Sequence, residues 1–235
     1  MRTAVVLAGG LGSRLRPYTV VLPKPLMPIG DMPILEVILR QLKSAGFSRI
    51  VLAVNHQANL IKAFFEAGER IGVSIEYSLE TQPLGTMGPL RLIKNLPENF
   101  IVMNGDILCD LDFSEFFLRH EQRGGVFSIS AAAREHMVDY GVLERGADGT
   151  LIGFHEKPKT HYLVSMGVYC VNRRALRWIP EGIGFGFDTL MHALMKDGEK
   201  VFIEPHKGYW LDIGRPDDYH QAINDWPSIK SGLGL

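Results

Sequence analysis

The chain has 235 residues, 46% hydrophobic and 22% charged, with 25 Lys+Arg against 26 Asp+Glu and a formal net charge of −1. That length carries one large domain or two small ones with a substantial core, and the composition excludes a disordered or fibrous chain. The near-neutral balance gives no general attraction to nucleic acid or to an anionic membrane, so any phosphate binding must come from a local site. No apolar run approaches the ~18 residues of a membrane-crossing helix. The start, Met1 to Gly10, lacks the apolar region and small-residue cleavage site of a signal peptide. Cys109 and Cys170 stand far apart and read as small buried hydrophobes rather than a disulfide or metal pair. Together these features predict a cytoplasmic location with no nucleic-acid and no membrane partner.

In chain order, residues 3–8 read as a short buried strand closed by Gly9 and Gly10. Pro17, Pro23, Pro25 and Pro28 then forbid a regular helix. Residues 34–44 place Ile34, Leu35, Ile38 and Leu42 on one helical face, with Gly46 as a stop. Strands are expected over 49–54, 73–78 and 100–104, and helices over 58–67 and 86–95. Asp112-Phe-Ser-Glu115 reads as a capping box opening another helix. Such alternation predicts an α/β fold with a mainly parallel sheet flanked by helices. The pattern then changes to strands over 126–134, 140–145, 150–156 and 163–171, with a hairpin signal at Gly146 to Gly149. A helix over 186–196, extended pieces over 200–204 and 208–212, and a helix from Pro216 to Asn224 follow. This mixed, partly antiparallel third is expected to extend the same sheet, and Ser228 to Leu235 is expected to fray.

The strongest chemical signal is Leu7-Ala-Gly-Gly-Leu-Gly-Ser-Arg-Leu15 after the first strand, where glycines can present backbone N–H groups to an anion. It is not a P-loop, because no Gly-Lys-Ser/Thr is present. Nor is it a dinucleotide fingerprint, because Leu15 stands where Gly or Ala is needed and no helix follows directly. Alone, it reads as a glycine-rich turn with a surface arginine. Lys24, between Pro23 and Pro25, sits on a stiffened backbone that lowers the entropy cost of aiming a long cation. Gln82-Pro-Leu-Gly85-Thr86 offers N–H groups and a hydroxyl to a base edge, or else a routine helix cap. Asn104-Gly105-Asp106 ends an apolar strand, where ligands of open α/β sheets sit. Glu156-Lys157-Pro158 and Trp210-Leu-Asp212-Ile-Gly214 end two further strands with charge. The eight histidines show no metal-ligand spacing, and His155 and His206 read as structural or exposed.

The ordered set LAGGLGSRL, PKPLMPI, PLGTMGPL, NGD, YGVLE, EKP, GVY and WLDIGRP resembles the sugar-1-phosphate nucleotidylyltransferases over residues 1–226. Each piece is weak alone and the combination is specific. The compact length, PLGTMGPL and WLDIG are most similar to mannose-1-phosphate and manno-heptose-1-phosphate guanylyltransferases. The resemblance implies a Rossmann-like mixed sheet of the nucleotide-diphospho-sugar transferase type with a small antiparallel sugar-binding part. It implies one catalytic domain over 1–226, a flexible tail over 227–235, and none of the C-terminal β-helix found in longer relatives.

The implied reaction joins a nucleoside triphosphate and a sugar 1-phosphate into an NDP-sugar and pyrophosphate, with GTP and a manno-configured sugar favoured. The attacking phosphate monoester has a second pKa of about 6, so it needs no general base. Catalysis then rests on holding two anions together and neutralising charge. On matching motifs, the backbone of Leu7, Ala8, Gly9 and Gly10 holds base and ribose, and Gly12, Ser13 and Arg14 hold the β- and γ-phosphates. Lys24 neutralises the α-phosphate, while Gln82, Gly85 and Thr86 border the base and Asn104 belongs to the nucleotide site. Asp106 and Asp212 hold Mg²⁺, making Arg14, Lys24 and Asp106 the catalytic set. Tyr140, Gly141, Glu156, Lys157 and the Met166–Gly167 backbone line the sugar pocket.

Close guanylyltransferases often carry Ala at Met87 and Asn-Ala before Gly167, where this chain has Ser165-Met166, which bears on the sugar and less on the base. UTP, dTTP or CTP with another sugar or aminosugar phosphate is the near alternative. A sensing subunit without turnover would not need Arg14, Lys24, Asp106 and Asp212 together. A nicotinamide-dependent oxidoreductase is disfavoured by the failed fingerprint. The resemblance leaves a homo-oligomer open, and no stretch marks an interface.

Overall fold

A computed structural model describes the whole chain except Leu11, His56, Gln57 and Leu235. In chain order it contains β1 (Arg2–Leu7), β2 (Pro28–Ile29), β3 (Met32–Pro33), α1 (Ile34–Ser44), β4 (Phe47–Val54), α2 (Ala58–Phe65) and β5 (Ser74–Leu79). Next come β6 (Asn99–Asn104), β7 (Ile107–Cys109), α3 (Phe113–Arg123), β8 (Phe127–Met137), β9 (Gly141–Arg145), β10 (Leu151–Glu156) and β11 (Lys159–Asn172). The chain closes with α4 (Phe187–Lys196), β12 (Val201–His206), β13 (Trp210–Asp212) and α5 (Pro216–Ile229). No helix among the described residues is long and apolar enough to cross a membrane.

Seven strands form the central sheet in the order β12-β8-β11-β6-β1-β4-β5. The β6-β1-β4-β5 run is parallel, β11 is antiparallel to both neighbours, and β12 runs parallel to β8. β8, β11 and β12 of the C-terminal third therefore extend the same sheet, whereas β9 pairs with β10 and β13 with β7 in separate two-stranded sheets. β1 is buried because both faces are covered. Ala4 and Val6 point into the larger apolar cluster, built with α1, α2, α3 and α5, while Val5 points into a second cluster with α4. Phe100 and Val102 alternate with Ile101 and Met103 in the same way on β6. Asp112 caps α3, its carboxylate accepting the Glu115 N–H at 2.8 Å.

Two local expectations fail for identifiable reasons. The helix expected over 86–95 shrinks to a 3₁₀ turn, Gly88–Leu92. The N–H groups of Met87 and Gly88 both reach the Phe185 carbonyl, and Asn95 at φ +56° ahead of Pro97 stops continuation. The tail expected to fray after residue 226 begins as helix and is anchored to the core at single residues, while Leu235 lies outside the described residues. α5 runs on to Ile229, Trp226 and Leu233 lie in the larger cluster, and Leu233 is only 4% exposed.

Candidate active site

β1 continues to β4 and β5 on one side, and the chain then returns to place β6 on the other side. The carboxyl ends of β1 and β6 thus flank a topological switch point, the usual ligand crevice of such sheets. Leu7 is in register with Asn104, and the Gly105 N–H donates to the Leu7 carbonyl at 2.9 Å. A cavity of about 540 Å³ opens there. The structure brings together in its wall Leu7, Ala8, Gly9, Gly10, Lys24, Gln82, Gly85, Thr86, Asn104 and Asp106.

The loop after β1 is pinned at both ends. The Ala8 N–H donates to the Ala53 carbonyl at 2.8 Å, and the Gly9 carbonyl accepts from the Asn55 amide. Gly12 has φ +60°, and a Cβ there would stand 2.9 Å from Thr19 Cγ2, so only glycine fits the turn. The Thr19 hydroxyl donates to the Gly12 carbonyl at 2.7 Å, and the next turn buries Leu15 completely. Gly12, Ser13 and Arg14 do not line the cavity itself. Arg14 turns instead toward β13, its Nη2 3.7 Å from where a Cβ on Gly214 would lie.

Lys24 starts a 3₁₀ turn (Lys24–Leu26) between its two prolines. It is 8% exposed, unlike an ordinary surface lysine, and its Nζ is paired with Asp106 Oδ2. The Asp106 carbonyl accepts the Ile213 N–H at 3.1 Å, and Asp212 is in register with Ile107 across β13 and β7. That short ladder brings Asp212 beside Asp106. The protein wall behind Asp212 raises its carboxyl above the usual range, the Asp106 charge raises it further, and Lys24 and Arg14 pull it back.

Asp106 Oδ1 is buried and has no hydrogen-bond partner among the described residues. An orphaned carboxylate oxygen in a residue beside a second acidic group is costly unless a cation completes it. Among the described residues no group of three or more His, Cys, Asp and Glu exists. The carboxylates of Asp106 and Asp212, one with an orphaned oxygen, fit a hard divalent ion completed by water and phosphate oxygens.

The far end of the cavity holds a residue that motif reading misses. Glu80 follows β5, and its Oε1 accepts the Leu84 N–H. Its Oε2 lies 3.4 Å from where a Cβ on Gly9 would be, at the cavity wall. Only its place at the end of a parallel strand, level with the glycine loop, signals it in the sequence. Nearby, the Gln82 amide donates to the Gly182 carbonyl at 2.9 Å, and the Thr86 hydroxyl oxygen accepts the Phe187 N–H at 2.9 Å. Both residues line the cavity, and Gln82 ties its loop to the segment before α4 while Thr86 ties it to the first residue of α4.

The expected sugar residues are not in this wall. Tyr140, Gly141, Glu156 and Lys157 lie at the open end of the β9–β10 hairpin, with Gly141 in register with Glu156. Tyr140 is 79% exposed, and Lys157 pairs with Asp139 at 2.8 Å. Gly167 comes closer, at a register shift in β11 with φ +75°, where a Cβ would stand 2.7 Å from Asn104 Nδ2. The indole N–H of Trp210 donates to the Met166 carbonyl at 3.0 Å and fixes that bulge next to β13.

An open α/β sheet with a glycine loop, a buried lysine and paired carboxylates at its switch point defines an α/β protein built to hold an anionic ligand at its strand ends. Residues 3–228 match the family model described as Nucleotidyl transferase, and the chain belongs to that family. It is 34% identical over 223 residues to the mannose-1-phosphate guanylyltransferase catalytic subunit beta of Drosophila pseudoobscura pseudoobscura, covering 92% of this chain and 60% of the relative. It is 32% identical over 240 residues to a UTP–glucose-1-phosphate uridylyltransferase of Synechocystis, covering 94% and 62%. The chain thus spans about three fifths of the curated relatives it matches. Among solved structures, HddC from Yersinia pseudotuberculosis complexed with GMP-PN superimposes with a TM-score of 0.73 at 27% identity, covering 96% of this chain and all of that one. A Bacillus anthracis structure described as a putative glucose-1-phosphate thymidylyltransferase gives a TM-score of 0.77 at 21% identity, covering 95% and 94%, a likeness of fold.

Proposed function

We propose that this protein transfers a nucleoside monophosphate from an NTP, GTP by preference, to a manno-configured sugar 1-phosphate, releasing pyrophosphate. The observation that carries the reading is the Lys24–Asp106 pair in the wall of a nucleotide-sized cavity, with Asp212 held beside Asp106 just outside that wall. Among the described residues the cavity wall holds no Ser, Cys or His to serve as nucleophile and base. In-line attack by a phosphate monoester needs neither, because the attacking oxygen is already largely ionised at neutral pH. Lys24 is held rigidly enough to meet the α-phosphate as charge develops on it. Arg14 stands on the Asp212 side, toward the leaving pyrophosphate. Mg²⁺, held by Asp106 and Asp212, would supply charge neutralisation at the phosphates.

Glu80 favours guanine. The Watson–Crick edge of guanine presents two adjacent N–H donors, and a carboxylate accepts both. Uracil and thymine present one donor between two carbonyls. The guanylyltransferase relatives and the GMP-PN complex of HddC agree with this reading, while the Synechocystis relative keeps UTP with another sugar phosphate as the second reading. On the same reading, Tyr140, Gly141, Glu156, Lys157 and the Met166–Gly167 backbone form the sugar side. Residues 1–226 act as one catalytic domain of a cytoplasmic enzyme that supplies an activated sugar for surface polysaccharide.

The test is pyrophosphate release with Mg²⁺ over a grid of four NTPs and mannose, glucose, glucosamine and manno-heptose 1-phosphates. Release with GTP and a manno-configured phosphate is expected. Release with another pair would replace the specificity, and no release from folded, nucleotide-binding protein would overturn the reaction.

A further inference from the structure

A second, smaller cavity of about 260 Å³ lies between the outer half of β8 and the turn joining β12 to β13. Ala132 and Ala133 form its small-residue wall, and Arg134, His206, Lys207 and Trp210 supply its chemistry. At ~30 Å³ per water molecule, it has room for an oxyanion and several waters.

The charge of this cavity is one-sided. Arg134 lies over the Trp210 ring, 4.4 Å from the centroid, with one further contact of 3.5 Å to the Trp210 carbonyl. Neither Arg134 nor Lys207 has a carboxylate partner among the described residues. The nearby acid, Asp110, is taken by His206 at 2.8 Å. A guanidinium stacked on an indole keeps most of its five donors free and loses little further freedom on binding. In a chain of net charge −1, two unpaired cations facing one cavity are a local excess.

Trp210 joins this cavity to the candidate active site. It lines the cavity beneath Arg134, its N–H donates to the Met166 carbonyl, and a Cβ on the adjoining Gly167 would stand 2.7 Å from Asn104, a lining residue of the larger cavity. Asp212 follows two residues later on β13. We propose that the Arg134–Lys207 cavity is a subsite for a second anionic group, carboxylate or phosphate, carried by the sugar 1-phosphate away from its anomeric carbon. The inference rests on the reaction proposed above and narrows its substrate class to sugar phosphates bearing two anionic groups.

The experiment compares kcat/KM for mannose 1-phosphate, mannuronic acid 1-phosphate and mannose 1,6-bisphosphate with GTP and Mg²⁺. The wild-type protein is set beside Lys207→Gln and the double variant Arg134→Gln/Lys207→Gln. At least one doubly anionic substrate is expected to exceed mannose 1-phosphate by about tenfold or more, and the arm that wins identifies carboxylate or phosphate. The double variant is expected to bring that ratio near one. General damage to the fold would scale all substrates together and leave the ratio unchanged, and the exposed Lys207→Gln variant reads the same ratio with Arg134 in place. A wild-type ratio near one, or a ratio untouched by both variants, overturns the proposal. If nothing turns over, the reaction fails, and the subsite is read separately by tryptophan fluorescence during titration with inorganic phosphate. A saturable change lost in the double variant retains the anion site. No change, or an identical change in the variant, removes it.

Discussion

Glu80→Gln is the perturbation that isolates base recognition from catalysis. In the structure Oε1 accepts the Leu84 N–H while Oε2 lies at the cavity wall beside Gly9. An amide at this position has one acceptor, and the Leu84 N–H claims it. The NH₂ group is then forced to the place of Oε2, where it meets a donor of guanine with a donor. A hydrogen bond to a charged group contributes about 1.5–3 kcal/mol. Its loss lowers kcat/KM for GTP by roughly 10- to 150-fold, at ~1.4 kcal/mol per factor of ten. The same NH₂ group suits a pyrimidine carbonyl, so kcat/KM for UTP should hold or rise. The assay is pyrophosphate release with GTP and with UTP at saturating sugar 1-phosphate, together with a thermal melt to show that the Leu84 anchor survives. A GTP-to-UTP preference that stays within threefold of wild type in a variant of normal stability would refute the role of Glu80.

Asp106→Asn and Asp212→Asn should each cut turnover about 10²-fold or more, as loss of a single electrostatic group at the reacting centre does. Their circular dichroism should match wild type, and near-normal activity in either would remove that carboxylate from the metal pair. Lys24→Ala should lower kcat more than it raises the KM for nucleotide, because its contact strengthens as charge develops. A pure KM effect in steady-state kinetics would make it a binding residue. His120 gives a pH prediction for stability. Burial at 2% exposure, with Nε2 lacking a partner among the described residues and Nδ1 2.8 Å from the Ser128 hydroxyl, lowers its pKa from 6.5 to about 4. The unfolded chain therefore takes up the proton first. Stability is full above pH ~6.5, falls between pH ~6.5 and ~4, and levels off about 3 kcal/mol lower from this group. Urea unfolding of His120→Gln across that range should show a shallower acid slope, and an unchanged slope would refute the assignment.

The sheet was legible because parallel strands buried on both faces leave plain apolar runs, as β1, β4 and β6 do. The position of Asp106 was legible for a related reason, because an aspartate just after an apolar strand stands at the carboxyl edge of the sheet. The burial of Lys24 was not, because a lysine between prolines reads alone as a surface residue. The 3₁₀ turn at Gly88–Leu92 was not legible, because its N–H groups are claimed by Phe185, almost a hundred residues downstream. The packed chain end was missed because Leu233 stands among glycines and only the α5 helix brings it back to the core. Glu80 was hidden because nothing in its neighbours marks a carboxylate as facing a cavity. Its direction is set by the Leu84 N–H and by the missing side chain of Gly9, and neither is a sequence pattern.

Asp106 has two tasks that one carboxylate can meet only in this geometry. Oδ2 neutralises Lys24, which lets the lysine be 8% exposed without an isolated buried charge. Oδ1 is buried and without a partner among the described residues, in a carboxylate whose charge Asp212 feels. Were both oxygens committed to Lys24, the acidic pair could not take a cation. Were neither committed, the lysine would lose the contact that holds it at the cavity wall. The split also explains why the chain spends a separate strand, β13, on Asp212. The β7–β13 ladder and the Ile213 N–H bond fix the second carboxylate against the first through backbone, independent of either side chain. On the proposed reaction, a substrate phosphate at this corner would meet a lysine already aimed and an acidic pair already in place. Such a site can favour the charge distribution of the transition state with little rearrangement during the reaction.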